Sequence, residues 1–215
     1  MRNSIKFLGM ALLSLILGFT SCKKDKTEEE KPDATDKSVT VSLSTKNNVE
    51  TDVWVYYSFS TKAEVSGVDS TNFKTSDAWD IAFHSRHIRL NGGTSGQGLA
   101  AAYDAGVVDF KSVTTANETG YTTDTFVVNA LYAGNGATGP IYQDTDMNTV
   151  FENAFTVDEN THPPTYSPNL NVYVMKTRTG KYAKIMIKDY YNDLGESGYI
   201  TFRYQLAEGD TRNFE

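Results

Sequence analysis

The stretch WDIAFHSRHIRLNGGTSGQGLAAA, Trp79–Ala102, decides the fold that this sequence predicts. Ile81 and Phe83 alternate with smaller or polar residues, and Ile88 and Leu90 continue the same period of two. Such alternation is typical of half-buried β-strands, so we expect two strands joined by a tight connection. The dense glycines that follow predict unusual backbone angles or very close packing rather than side-chain chemistry.

Two other interpretations of this segment fail. Residues 96–101 fit a GxGxxA string, but a dinucleotide-binding site needs that string early in a repeated βαβ pattern, and β-like sequence follows instead. His84 and His87 are three residues apart, and on a strand or turn we expect this spacing to point them to opposite faces. Two ligands without a nearby third are weak evidence for a zinc site.

The order of motifs in this block resembles the central motif of the HmuY-type family, surface lipoproteins of Bacteroidetes that bind haem. The matching elements are Trp79-Asp80, His84, Arg89-Leu90-Asn91 and the glycine loop from Gly93 to Gly98. The C-terminal end is also similar to that family, in Asp189-Tyr190 and in the strand that begins Gly198-Tyr-Ile-Thr-Phe. The resemblance covers about residues 53–206, and it implies a β-rich binding protein.

The N-terminus has the layout of a lipoprotein signal peptide. Arg2 and Lys6 precede an apolar run of 13 residues, which ends shortly before Cys22. A membrane-spanning helix needs about 20 apolar residues, so this run is too short to cross a bilayer stably. We therefore predict that residues 1–21 are a signal peptide and that Cys22 becomes the lipidated first residue. Since Cys22 is the only cysteine, the chain has no internal disulfide.

Residues 22–37 contain almost nothing that can enter a core, so we predict a solvated tether followed by one domain at residues 38–215. Without the signal peptide the chain has 18 basic and 27 acidic residues and therefore a net charge of −9. It has no basic stripe to neutralise phosphates, which argues against nucleic acid as a partner.

Strand-like runs recur along the domain, and no segment shows a sustained helical period. The clearest runs, at residues 171–177, 181–188 and 198–206, predict an antiparallel meander with one buried face and a turn at Gly180. Alternating segments at residues 39–43, 53–59 and 126–131 continue the pattern. We predict an all-β fold, a single domain of antiparallel sheets whose long loops form the ligand site.

The turn-rich segment at residues 134–171 lacks a regular period, and we expect irregular loops that hold the ligand there. The resemblance implies that haem lies between two such loops, with its iron ligated axially by histidine or methionine. The candidate ligands are Met147, which has polar neighbours in sequence, and His162, which precedes two prolines in a stiff loop.

In the best-known HmuY-type pattern, each of the two loops supplies a histidine. This sequence departs from that pattern, because its first loop contains no histidine. Three alternatives stay open: Met147 pairs with His162, one ligand or none is used, or the protein has changed to another ligand. Three cations around a hairpin turn could pair with haem propionates: Lys176, Arg178 and Lys181.

The function that the resemblance implies is capture of haem, or a related tetrapyrrole, by a lipid-anchored protein on the outer membrane. The haem would pass to a TonB-dependent outer-membrane receptor for iron and haem uptake. The alternative is a surface binding module of the same fold with a non-haem ligand such as a glycan. The sequence contains no Ser-His-Asp signature, close carboxylate pair or metal cluster, so we do not expect an enzyme.

Overall fold

The computed structural model describes residues 36–45 and 53–215. The predicted signal peptide, Cys22 and most of the predicted tether lie outside these residues. The described chain forms two 3₁₀ helices, η1 (Phe110–Ser112) and η2 (Thr149–Ala154), and neither has the length and apolar character of a membrane-spanning helix. The strands are β1 (Val39–Ser44), β2 (Val55–Ser58), β3 (Ala63–Glu64), β4 (Ile81–His84), β5 (His87–Leu90), β6 (Ala101–Asp104), β7 (Thr125–Gly136), β8 (Gly139–Met147), β9 (Phe155–Asp158), β10 (Thr165–Pro168), β11 (Val172–Lys176), β12 (Tyr182–Tyr191) and β13 (Ser197–Leu206).

Five strands form the larger antiparallel sheet, in the order β1, β13, β12, β11, β6. The alternating apolar residues of its strands are buried, as the sequence pattern predicts: Ile200 and Phe202 of β13 lie in the core together with Ile185 of β12. The turn between β11 and β12 places Gly180 at φ +82°, where glycine is favoured. The predicted all-β class of antiparallel sheets is confirmed.

Four shorter strands make a second sheet, in the order β3, β2, β4, β5, and it shares a core with the first. Strands β4 and β5 are the two predicted from the decisive stretch, and two residues connect them. The sheets meet through aromatic side chains. Phe83 stacks on Phe202 with ring centroids 5.1 Å apart, and the hydroxyls of Tyr57 and Tyr204 lie 3.2 Å apart.

The prediction that the C-terminal meander has one buried face is wrong. Strand β12 buries five consecutive residues from Ala183 to Ile187, including Lys184, which is 2% exposed. The Lys184 ammonium donates to the carbonyl oxygens of Phe110 and Val113, at 2.8 and 2.9 Å. The segment around η1 therefore covers the second face of the sheet, and its carbonyls satisfy the buried charge.

In the loop after β5, close packing requires glycine at more positions than backbone angles do. Of its four glycines only Gly93 has a positive φ, at +59°. A Cβ atom on Gly92 would lie 2.1 Å from the carbonyl oxygen of Ala100, and one on Gly96 would lie 2.0 Å from Oδ1 of Asn91. No side chain fits at such distances, so the loop folds directly against its neighbours.

The segment predicted as irregular loops forms two β-hairpins instead. Strands β7 and β8 pair from Thr125↔Met147 to Gly136↔Gly139, with two register shifts. Strands β9 and β10 pair from Phe155↔Pro168 to Asp158↔Thr165. Strand β7 begins in the alternating segment predicted at residues 126–131. Much of the rest of both hairpins is exposed on both faces, so it lacks the alternation by which half-buried strands are recognised.

Candidate functional site

The two hairpins leave the body of the protein at neighbouring points. Strand β8 ends at Met147 and β9 begins at Phe155, so only Asn148 and η2 separate them. A 3₁₀ helix of this length spans about 12 Å, at about 2.0 Å per residue. Each hairpin forms its own two-stranded sheet. We call β7, β8, η2, β9 and β10 together the two-hairpin end, and it is the candidate site.

The first hairpin exposes large apolar side chains. Five of them are between 42% and 65% exposed: Phe126, Val128, Tyr132, Ile141 and Tyr142. Tyr132 and Tyr142 are cross-strand partners, and their rings meet edge to face with centroids 6.0 Å apart. An isolated two-stranded hairpin is only marginally stable in water, and a group of exposed apolar residues marks a surface that binds something.

Arg89 holds the foot of β8 against β5. Its guanidinium is sandwiched between the rings of Trp54 and Phe73, 3.9 and 4.0 Å from their centroids. Its Nε donates to the carbonyl oxygen of Asp146 and its Nη2 donates to the hydroxyl of Thr145, both at 2.9 Å. Because Arg89 is 1% exposed, these contacts are made away from water, where charged hydrogen bonds are strong.

Asp124 holds the foot of β7. Its carboxylate accepts from the backbone N–H of Leu90 at 2.8 Å and from Nδ2 of Asn148 at 3.0 Å. Asn148 directly follows β8, so this one buried carboxyl group links both feet of the first hairpin to β5. Burial raises the pKa of Asp124 to about 7, because the loss of hydration outweighs the hydrogen bonds that favour the charged form.

We expect the protein to lose stability as the pH rises from about 4 to about 7, because the folded state then keeps a proton on Asp124 that the unfolded state has released. The Asp124→Asn variant should show a shallower fall. Its slope should not vanish, because burial also raises the pKa of Asp80. Urea unfolding of both proteins at about pH 5 and about pH 8 measures the difference in free energy of unfolding. Parallel pH profiles in the two proteins would contradict this assignment.

The second hairpin presents His162 to solvent. His162 is exposed and lies in the turn between β9 and β10. Next to this turn, the ring of Tyr166 packs on Tyr190 with centroids 4.9 Å apart, and the backbone N–H of Tyr166 donates to the Tyr191 hydroxyl at 2.9 Å. The larger sheet therefore holds this hairpin while the imidazole stays accessible.

Met147 has the opposite environment. Its side chain is 1% exposed, in a core cluster with Trp54, Trp79 and Leu131. Although the neighbours of Met147 in sequence are polar, apolar residues from distant parts of the sequence bury it. The buried sulfur of Met147 and the exposed imidazole of His162 are not brought together in the described structure, and ligation by Met147 stays a prediction.

The expectation that His84 and His87 point to opposite faces is wrong. A two-residue turn makes them direct partners across β4 and β5, and such partners share a face. The His84 ring lies 5.4 Å from that of Trp54, and Nδ1 of His87 lies 3.0 Å from a carboxylate oxygen of Glu152 in η2. Within residues 36–45 and 53–215, no group of three or more His, Cys, Asp or Glu residues could hold a metal ion.

The three cations considered for haem propionates lie at the other end of β12. Tyr182, the first residue of β12, pairs with Lys176, whereas Tyr191, the last, contacts the second hairpin. Ten residues of strand span about 33 Å. Lys176, Arg178 and Lys181 therefore lie about one strand length from the second hairpin, and their pairing with haem propionates stays a prediction.

Sequence analysis missed the two residues that position the first hairpin. Arg89 alternates with Ile88 and Leu90, and this phase of a strand normally faces water. Asp124 lies in a polar run that gives no sign of burial. The available signal for Arg89 was its place in the Arg-Leu-Asn motif that resembles the HmuY-type family.

Comparison with known proteins is consistent with this architecture. The family model for HmuY protein matches residues 50–204. No curated protein matches the sequence.

Three similar solved structures each align with 80% of this chain. One, from Bacteroides vulgatus, is assigned as a HmuY-like heme-binding protein; it is 24% identical, with 93% of its chain covered and a TM-score of 0.61. Another, from Bacteroides fragilis, is assigned as a lipoprotein; it is 22% identical, with 91% covered and a TM-score of 0.61. The apo HmuY analog of Tannerella forsythia is 19% identical, with 97% covered and a TM-score of 0.59. At these identities the likeness establishes a shared fold.

Proposed function

Because the chain belongs to the HmuY family, we propose that it is a cell-surface lipoprotein that binds haem or a related tetrapyrrole. It delivers this ligand to a TonB-dependent receptor of the outer membrane, for the uptake of haem and iron. Binding and transfer make and break no covalent bond, so the protein is a carrier and not an enzyme. The similar protein from Bacteroides vulgatus, assigned as heme-binding, supports this proposal.

The observation that carries the proposal is the exposed apolar surface of the first hairpin beside a hairpin that presents His162. Haem needs an apolar face for its ring and a histidine or methionine for its iron. Tyr132 and Tyr142 offer aromatic surface, and the His162 imidazole is accessible. These residues fit the chemistry of the ligand, although they come from a segment without the histidine pair of the best-known pattern.

The anchoring proposal concerns the part of the chain before the described domain. Residues 1–21 are removed as a signal peptide, and Cys22 carries the lipid. Residues 22–37 act as a tether that holds the domain of residues 38–215 away from the outer membrane, facing outward. The similar protein from Bacteroides fragilis, assigned as a lipoprotein, supports this arrangement.

We propose His162 and Met147 as the axial ligands of the iron. His162 needs no rearrangement, since it is exposed in the turn of the second hairpin. Met147 can contribute only if the foot of β8 leaves the core cluster when haem binds, because its side chain is 1% exposed without ligand. Such opening has to break the buried contacts of Arg89 with Asp146 and of Asp124 with Asn148, which flank Met147.

Absorbance titration of the domain with haemin tests the function and the ligand pair together. We expect a Soret shift that saturates at one haem per chain, and roughly tenfold or greater loss of affinity in His162→Ala. Met147→Leu conserves volume, so it should cost less than about 1.5 kcal/mol of stability while changing the haem spectrum. Met175→Leu is the matched control, because Met175 is equally buried but lies in β11 of the larger sheet.

The variants separate the parts of the proposal. A Met147→Leu spectrum identical to that of the unchanged protein would remove Met147 from the pair and leave His162. Unchanged binding and spectra in both His162→Ala and Met147→Leu would reject the pair. No Soret shift at micromolar haemin would reject haem and favour the alternative, a surface module of the same fold that binds a non-haem ligand such as a glycan.

A further inference from the structure

Two open clefts lie on either side of Arg178, at the turn between β11 and β12, and none of the described residues that line them belongs to the two-hairpin end. The wider cleft encloses about 380 Å³, within the range of about 300–1,000 Å³ that small-molecule sites occupy. Its lining includes Phe59, Lys62, Tyr182 and Leu206. The narrower cleft, of about 270 Å³, has a polar lining that includes Gln97 of the glycine loop.

The backbone of Arg178 is fixed from both sides. Its N–H donates to Oδ1 of Asp80 at 3.0 Å, and its carbonyl oxygen accepts from the N–H of Leu99 at 2.9 Å. A Cβ atom on Gly98 would lie 2.8 Å from the Cβ of Arg178, so the glycine loop packs directly against this residue. The motif that resembles the HmuY-type family thus positions an arginine that the proposed haem site does not use.

The buried part of the Arg178 guanidinium is not satisfied by the described residues. Its Nε is buried and makes no hydrogen bond within the described part of the chain. The nearest carboxylate oxygen, Oδ1 of Asp80, is 3.8 Å away, which is too long for a hydrogen bond. Asp80 already accepts from the backbone N–H groups of Phe59 and Arg178. A partly buried guanidinium with unused donors is unfavourable, and a planar acceptor such as a carboxylate satisfies it bidentately.

The wider cleft combines positive charge with apolar surface. Lys62 and Lys181 join Arg178 in its lining, and Asp80 is the one acidic residue among the described residues that line it. At the rim, Lys181 also pairs with the exposed Asp210 at 3.3 Å. Phe59, Tyr182 and Leu206 provide the apolar part of the lining. Such local positive charge stands out in a chain whose net charge is −7. The combination fits a ligand that carries an anionic group on an apolar body.

We propose that the cleft beside Arg178 binds a small organic anion, a carboxylate carried on an apolar or aromatic body. The guanidinium of Arg178 holds the carboxylate, the two lysines add favourable charge at the rim, and the body of the ligand packs on Tyr182 and Leu206. This site is separate from the two-hairpin end and does not depend on the proposed haem function.

Titration with 4-fluorobenzoate, followed by ¹⁹F NMR and by backbone amide shifts, tests the proposal. We expect saturable binding in the millimolar range or tighter, with shifts at the amides of Leu99, Arg178 and Lys62. Arg178→Gln should weaken binding roughly tenfold or more, the loss expected for charged hydrogen bonds. Lys188→Gln, which removes the same charge from an exposed position elsewhere on β12, should leave affinity unchanged.

Neutral 4-fluorobenzamide has nearly the same shape and should bind at least tenfold more weakly, because it lacks the charge. Equal binding of the amide, retained affinity in Arg178→Gln, or no saturable binding of 4-fluorobenzoate would each overturn the proposal. Haemin titration of Arg178→Gln should match that of the unchanged protein. A failure of the anion site is therefore distinguishable from a failure of the haem site.

Discussion

Replacing Arg89 with methionine is expected to destabilise the protein by about 3–5 kcal/mol. The substitution removes the cation between Trp54 and Phe73, and it leaves the Thr145 hydroxyl and the Asp146 carbonyl oxygen without their buried donor. Methionine has similar length, so it fills much of the space but cannot donate. Urea unfolding followed by far-ultraviolet circular dichroism measures the loss of stability. Circular dichroism is preferred to fluorescence because Trp54 contacts Arg89, so its fluorescence would also change with the substitution itself.

Arg86→Met is the matched control for this variant. Arg86 lies one turn position before β5, is partly exposed, and pairs with Glu152 at 3.4 Å. Exposed pairs of this kind contribute less than about 1 kcal/mol. If Arg89→Met unfolds at the same urea concentration as Arg86→Met, the stacked guanidinium does not hold the first hairpin as we describe.

Replacing Gly92 with alanine is expected to cost about 3 kcal/mol or more, through overpacking that the backbone cannot relieve. The new methyl carbon would lie 2.1 Å from the carbonyl oxygen and 2.8 Å from the nitrogen of Ala100. Both atoms belong to the backbone, where Gly92 bridges to Leu99 across the loop. The loop would have to move away from β5, and the thermal unfolding midpoint should fall accordingly.

Gly136→Ala provides the comparison for Gly92→Ala. Its added carbon would first meet Cδ1 of Ile141 at 3.1 Å, the far end of a flexible side chain that can turn aside. We expect a change of less than about 1 kcal/mol in this variant. Equal unfolding midpoints for the two alanine variants would show that close backbone packing is not the reason for the glycine at position 92.

Local sequence patterns predicted most long strands of the two main sheets, because the sequence of each such strand shows which residues are buried. Ile200 and Phe202 stand two residues apart in β13, and that alternation alone indicates a strand with a core-facing side. The positive φ of Gly180 was equally predictable, since a tight turn between two such strands requires it. These features need no knowledge of distant residues.

The positions of the site residues depend on contacts that no local window contains. Met147 is surrounded by polar residues in sequence, yet Trp54 and Trp79 bury it. The alternation in β5 places Arg89 on the side that would face water, but Phe73 and Trp54 cover that side in the structure. Beyond residues 126–131, the strands of the two hairpins were not predicted, because exposed strands have no core-facing side that shows in the sequence. The resemblance to a family therefore predicted the fold, whereas the surroundings of the candidate site residues could be seen only in the structure.

The central claim is that the two-hairpin end holds the haem, and amide hydrogen exchange with and without haemin tests it most directly. We predict slower exchange at residues 125–147 and 155–168 when haemin is bound, with no change in the turn at residues 177–181. Protection of that turn, or unchanged exchange in both hairpins despite a Soret shift, would contradict the claim.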